Sequence, residues 1–145
     1  MAVNQAQANQ ILEFNFGNQA QVVVSSLYLG LSTTAPSPAG ANVTEPFDVP
    51  GTNYVRFLID NLSGGGNWDL AASLGTIKNA NTFTFVESTT EWASSGAPIS
   101  HIFLADDALL KNNNILYTAA LSASRAIPAN TTVYFNVGSL VISLT

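Results

Sequence analysis

The second half of the chain, from Thr82 to Thr145, is a run of short β-branched and aromatic segments, TFTFVE, ISHIFLA, NILYTAAL, TTVYFNV and SLVISL, separated by Gly, Pro, Asn and Ser. Segments of this length match single strand crossings, and the breaks between them hold a turn but no helix. The pattern predicts an all-β fold, a single antiparallel β-sandwich or barrel-like domain. An earlier strand is expected over Val22 to Ser32, with Leu27, Leu29 and Leu31 on one side and Tyr28 on the other. Tyr54 to Leu62 reads as the next strand, ended by the glycines at 64–66. Asn67 to Lys78 is ambiguous, with Trp68 and Leu70 as candidates for the core and Leu74 and Ile77 for a short strand.

A chain of 145 residues fits one domain and buries about two thirds of the surface its unfolded form exposes. It contains no cysteine, so packing and strand pairing must supply the stability and no thiolate can hold a metal. Only 9% of the residues are charged, against about a quarter in an average soluble domain. The polar coat is therefore Asn, Gln, Ser and Thr, which repels itself weakly and suits a protein docked against neighbours. Arg56, Lys78, Lys111 and Arg125, in a chain of net charge −5, leave no basic stripe for a phosphate backbone, so no nucleic-acid partner is expected. No apolar run approaches the ~20 residues that span a bilayer, and no cationic segment leads into an apolar one at the start. Synthesis in the cytoplasm and no membrane partner are the expectations. The acceptor-like tripeptides at Asn42, Asn61 and Asn130 read as chance in an Asn-rich chain.

Residues 1–17 differ from the β-domain expected over 18–145. Ile11, Leu12, Phe14 and Phe16 follow a Gln/Asn/Ala-rich opening, and Gly17 sits where a helix C-cap falls, which predicts one short helix over Asn4 to Phe16. Such a helix is marginal alone and must bury its apolar side on the β-domain or on another subunit. A long loop is expected at about 33–52, where Pro36, Pro38, Pro46 and Pro50 lie. Loops of this length carry function or a partner contact, and fixed proline φ values lower the entropy lost on docking.

The chemically suggestive residues have simpler explanations. His101, the one histidine, lies inside a predicted strand beside Ser100, with no nucleophile elbow anywhere in the chain. Asp106, Asp107 and Asn112 to Asn114 have oxygen ligands suited to calcium, but they lack EF-hand spacing and match turn chemistry. Glu87 with Glu91 is a conceivable hydrolytic carboxylate pair with no cleft to serve. The glycines at 64–66 lack the Lys and Ser/Thr of a phosphate loop. Trp92 reads as a plug at one end of the core, its indole N–H reaching a polar partner, with exposed-aromatic sugar binding as the alternative. No catalytic group, metal or cofactor site is expected.

Three stretches, Leu27 to Arg56, Phe83 to Asp106 and Asn114 to Leu144, together resemble a family of short tailed-bacteriophage virion proteins. In that family a helix ending in Phe-Gly precedes a strand, a Pro/Gly-rich loop, a Tyr-Val/Ala-Arg strand, a Trp, an I/V-x-H-x-x-I/L-x-D strand and a final I-x-x-G/N-x-T-x-x-F-x-x-G-x-L hairpin. Phe16, Gly17, Tyr54, Val55, Arg56, Trp92, His101, Asp106, Ile127, Thr132, Phe135, Gly138 and Leu140 occupy the matching positions, while DALLKNNN after the His strand is longer than the family's usual turn. Members are commonly labelled tail-fibre proteins, and β-proteins of similar size serve as capsid cement. The resemblance implies a virion structural protein without enzymatic activity. The favoured expectation is a capsid cement, or decoration, protein that binds the major capsid protein or other virion subunits, as a homo-oligomer, and stabilises the assembled head. A tail-fibre or tail-tip protein acting in host attachment is the alternative, and a carbohydrate-active enzyme the second. The expected contact residues are Ile11, Leu12, Phe14 and Phe16 of the arm and Pro36, Pro38, Pro46, Phe47 and Pro50 of the loop.

Overall fold

The computed structural model describes residues 1–3, 5–17, 24, 26–60, 66–69, 76–92, 97–111 and 114–143. The fold is all-β, with one α-helix among the described residues. Its largest sheet contains β1 (Ala2–Val3), β2 (Ser26–Ser32), β3 (Phe57–Asp60), β7 (Ile99–Ala105) and β8 (Ile115–Arg125) in the antiparallel order β1-β8-β7-β2-β3. A three-stranded sheet joins β4 (Trp68–Asp69), β5 (Thr76–Asn79) and β10 (Val141–Ser143) in the order β10-β5-β4, and β6 (Phe83–Thr84) pairs with β9 (Tyr134–Phe135). The helix α1 spans Gln5–Phe16, and the Gly17 N–H donates to the Glu13 carbonyl at 2.8 Å to close its last turn. The N-terminal ammonium donates to the Val141 carbonyl at 2.9 Å, tying the edge of the large sheet to the smaller one.

Alternation along β2 and β7 builds two cores of unequal size. Leu27, Leu29 and Leu31, with Ile102 and Leu104 opposite, face inward and share one core with Phe83 and Ile142 of the smaller sheets and with Phe85, Trp92 and Leu140 of the segments beside them. The other face of the large sheet carries Phe103, Ala105 and Ile115, which the Pro-rich loop covers with Val43. Gly30 pairs with Phe103 across β2 and β7, and the Phe103 ring lies where a side chain on Gly30 would point. A Cβ there would stand 2.1 Å from the ring carbon Cζ.

Several elements differ from the sequence-based expectation. Of the strand expected over Tyr54 to Leu62, the described residues 54–60 form a ladder only from Phe57 to Asp60, because Tyr54 and Arg56 turn their polar ends inward instead of continuing it. The last segments form shorter ladders than their composition suggests. Residues 83–88 run beside 131–135, but after Phe83 and Thr84 the pairing continues only as separate bonds, such as Phe85 N–H to the Val133 carbonyl at 2.9 Å and Ser88 N–H to that of Thr131 at 3.0 Å. In contrast β8 is longer than NILYTAAL, reaching Arg125. Its register against β7 shifts between His101↔Ala120 and Ile99↔Arg125, so Leu121 to Ser124 bow out of the ladder as a bulge. Ile77 does lie in a short strand, β5, and Trp68 packs at the edge of the core. The expectations placed on Asn4, Val22, Val23, Asn61, Leu62, Gly64, Gly65, Leu70, Leu74, Asn112 and Asn113 fall outside the described residues.

Trp92 is fully buried, and its indole N–H donates to Asn53 Oδ1 at 3.1 Å. The same oxygen accepts the Thr89 N–H at 3.0 Å, and Asn53 Nδ2 donates to the Glu87 carbonyl at 2.7 Å, so the plug is tied to the loop. On the opposite side Asn79 is a buried amide with every group engaged: Nδ2 donates to the Asn81 and Asn136 carbonyls and Oδ1 accepts the Leu140 N–H. Gly30→Ala is expected to destabilise the fold by about 1–3 kcal/mol, because the buried Phe103 ring has nowhere to move. Urea unfolding followed by tryptophan fluorescence measures it, and an unchanged midpoint would contradict the close contact.

Candidate functional site

The strongest electrostatic feature joins three segments that are distant in sequence. Pro46–Asp48 forms a 3-10 turn in the long loop, led in by Glu45. Arg56 stands just before β3 and meets the Glu45 carboxylate, Nε lying 3.0 Å from Oε1 and Nη2 2.6 Å from Oε2. The remaining donors go to the turn after β7: Nη1 to the Asp107 and Leu110 carbonyls at 2.6 and 2.9 Å, and Nη2 to that of Leu109 at 3.2 Å. All five guanidinium N–H groups thereby have acceptors, which a lysine could not match. The Arg56 plane also lies over the Phe103 ring, 5.0 Å from its centroid.

Tyr54 completes the node. Its hydroxyl donates to Glu45 Oε1 at 3.1 Å and accepts the Leu31 N–H at 2.8 Å, supplying an acceptor where β3 no longer runs beside β2. Asp48 accepts the Glu45 N–H at 2.7 Å and binds the Lys111 ammonium at 2.6 Å, and that ammonium also donates to the Val43 carbonyl. Burial pushes the Glu45 carboxyl above its ordinary value, outweighing the hydrogen bonds and charge of Arg56 that pull it down. Burial and the adjacent Glu45 charge push the Tyr54 phenol well above its ordinary value. The Glu45 and Arg56 side chains are 0% and 1% exposed. This is a closed structural node with no room for a substrate.

The chemically suggestive residues are used in the fold. Ser100 Oγ lies 3.0 Å from the Thr33 carbonyl and 2.8 Å from His101 Nδ1. A carbonyl only accepts, so the serine proton points to Thr33 and His101 Nδ1–H is the donor, the reverse of a base activating a nucleophile. Asp107 Oδ1 caps the N–H groups of Leu109 and Leu110, both at 2.8 Å, and Asp106 Oδ1 accepts from Asn114 Nδ2. Those two backbone hydrogen bonds hold the Asp107 carboxyl below its ordinary value. Among the described residues no three of His, Asp and Glu converge as a metal site needs. Glu87 and Glu91 are exposed on the loop after β6.

The expected contact residues divide into two groups. On α1, Ile11 is half-buried, while Leu12, Phe14 and Phe16 are exposed, Phe16 at 85%. Pro38 and Pro50 are exposed and Pro36 half-buried. Pro46, however, is fully buried beneath the 3-10 turn, and Phe47 stacks on Tyr54 with its centroid 6.0 Å away. Within the single chain Pro46 is interior and Phe47 half-buried, because the turn that places Glu45 drives them toward the core. The loop itself is stapled, with Thr33 N–H bonded to the Thr44 carbonyl, Thr34 Oγ1 to that of Asn42, and Ser32 Oγ accepting from the Thr34 and Thr44 N–H groups. Arm and loop meet where Gln5 N–H donates to the Pro38 carbonyl at 2.9 Å.

The sequence reading missed the Glu45–Arg56 pairing and two surface features. One is the exposed pair Leu109 and Leu110 in the turn after β7. The other is a cavity of about 370 Å³ beside the β8 bulge, lined by Leu121, Arg125, Ile127 and Phe135 among others. The available signal for the pairing was scarcity: in so charge-poor a chain, a cation and a carboxylate flanking buried aromatics are candidates for each other.

A packed all-β body with one buried ion pair and with apolar side chains such as Leu12, Phe14 and Phe16 left outside has the character of an assembly component. The family model described as podophage GP4 fiber I protein gp80 matches residues 2–143, and the chain belongs to that family. It is thus a short-tailed phage virion protein of the tail-fibre type, in agreement with the resemblance carried by Tyr54–Arg56, Trp92 and the His101 strand. No curated protein matches the chain.

Glu45→Gln is expected to cost about 3–5 kcal/mol, because it leaves Arg56 buried without its counter-charge. Chemical denaturation measures it, and a loss comparable to a surface substitution would show that the node is dispensable. The two shifted carboxyls act oppositely on acid stability. Glu45, raised above 4.5, adds stability as pH falls through its raised value to 4.5. Asp107, lowered from 3.8, supports the fold above 3.8 and loses that support as pH falls through its lowered value. Asp107→Asn is therefore expected to flatten the acid limb below 3.8 in a thermal-denaturation pH series, and an unchanged limb would refute it.

Proposed function

We propose that the protein is a non-enzymatic structural subunit of the virion's tail fibre apparatus, working by docking against other virion subunits without a cofactor. The observation that carries the reading is the family match over residues 2–143, whose description names a fibre protein. It favours the tail-fibre alternative over the head-cement expectation. The side chains add support: Arg56 has no free donor, the Ser100 proton is directed to a backbone carbonyl, and the buried carboxylate is fully occupied. A charge-poor body with exposed Leu12, Phe14 and Phe16 suits stable contact with other virion subunits, copies of itself among them.

Cryo-electron microscopy of virions carrying the protein, with an antibody fragment marking it, tests this role. Density on the tail is expected. Density repeated over the capsid lattice would instead establish the cement role and the major capsid protein as partner, and glycan turnover by the pure protein would overturn the non-enzymatic reading.

A further inference from the structure

We infer that the end of α1 in one copy seats in the cavity beside the β8 bulge of a second copy. The two surfaces match in apolar character and carry opposite charges. Where Leu121 to Ser124 leave the β7 ladder, the sheet opens onto a floor of Leu31, Ile99 and Ile127, which are otherwise core residues, with Leu121 and Phe135 as walls. Its volume, about 370 Å³, is ample for an aromatic side chain. Arg125 stands at its margin, exposed, opposite the apolar Ile99 in the register, its guanidinium without a hydrogen bond or ion pair among the described residues.

The last turns of α1 present the counterpart. Leu12, Phe14 and Phe16 are exposed around Glu13, the one charged residue of the helix, whose carboxylate has no ion-pair partner among the described residues. A 12-residue helix with this much apolar surface outside is marginal alone and gains by burying it. Placing Phe16 in the cavity sets an acidic helix end beside an arginine, two charges that have no ion-pair partner among the described residues. Phe16 at 85% exposure is not occupying the cavity of its own chain. The contact holds whether copies exchange helices reciprocally or pass them around a closed ring, and it does not depend on where in the virion the protein sits.

Sedimentation velocity of the full chain over a concentration series, with native mass spectrometry, reads the contact directly. The wild-type protein is expected to associate into a discrete oligomer. Phe16→Asp is expected to weaken association at least about thirtyfold, as for a central aromatic anchor, with an unchanged circular dichroism spectrum. Glu13→Arg and Arg125→Glu should each weaken it about threefold to tenfold, and the double exchange should recover most of that loss. A wild-type chain that stays monomeric throughout, or an oligomer insensitive to both Phe16→Asp and Arg125→Glu, would overturn the inference. Either result would leave the location on the virion untouched.

Discussion

Everything around the long loop is arranged so that one guanidinium can be buried. Arg56 holds the Glu45 carboxylate on one side and three carbonyls of the Asp107–Leu110 turn on the other. Without it the loop would keep only the more exposed Asp48–Lys111 pair as an ionic tie to the segment after β7, and three carbonyls of that turn would lose their donor. Removing two charges from water costs several kcal/mol per ion unless every polar atom finds a partner. Here Tyr54, the three carbonyls and the Phe103 face supply those partners. The pair contributes less as a gain in free energy than as a device that admits one arrangement of the loop.

That device explains why the second face of the large sheet is dry. Antiparallel sheets often leave one face to solvent. In this protein Phe103, Ala105 and Ile115 occupy that face, the loop covers them with Val43, and Gly30 leaves room for the Phe103 ring. The ring in turn forms the surface on which Arg56 rests.

The sequence announced whatever depends on local alternation. Leu27, Leu29, Leu31, Ile102 and Leu104 declare their inward face through period two, the helix shows its end at Gly17, and Trp92 behaves as the end plug with a polar tether. Features that rest on distant partners were not legible. Tyr54 and Arg56 look like strand residues because their aliphatic and aromatic parts fit a strand, and only the position of Glu45 in three dimensions turns them inward. The β8 bulge is likewise invisible, since Leu121 to Ser124 are acceptable strand residues whose departure is set by the register of β7. Pro46 and Phe47 were expected as contact residues, and the 3-10 turn that positions the buried carboxylate buries Pro46 and leaves Phe47 half-buried against Tyr54. That the chain is a phage virion protein was legible only through similarity of motif, because its side chains carry architecture and little chemistry, and the same motifs left the favoured expectation at a head-cement component.

The turn after β7 carries a consequence for recognition. Leu109 and Leu110 are 68% and 59% exposed, yet the carbonyls of both residues are gripped by Arg56 and the N–H groups of both by Asp107. An ordinary surface loop surrenders backbone freedom when something binds it, at about 1–2 kcal/mol per residue fixed. In this turn that ordering has already occurred during folding. The buried arginine therefore acts at a distance from its own position, holding two leucines outward on a backbone as constrained as that of a strand.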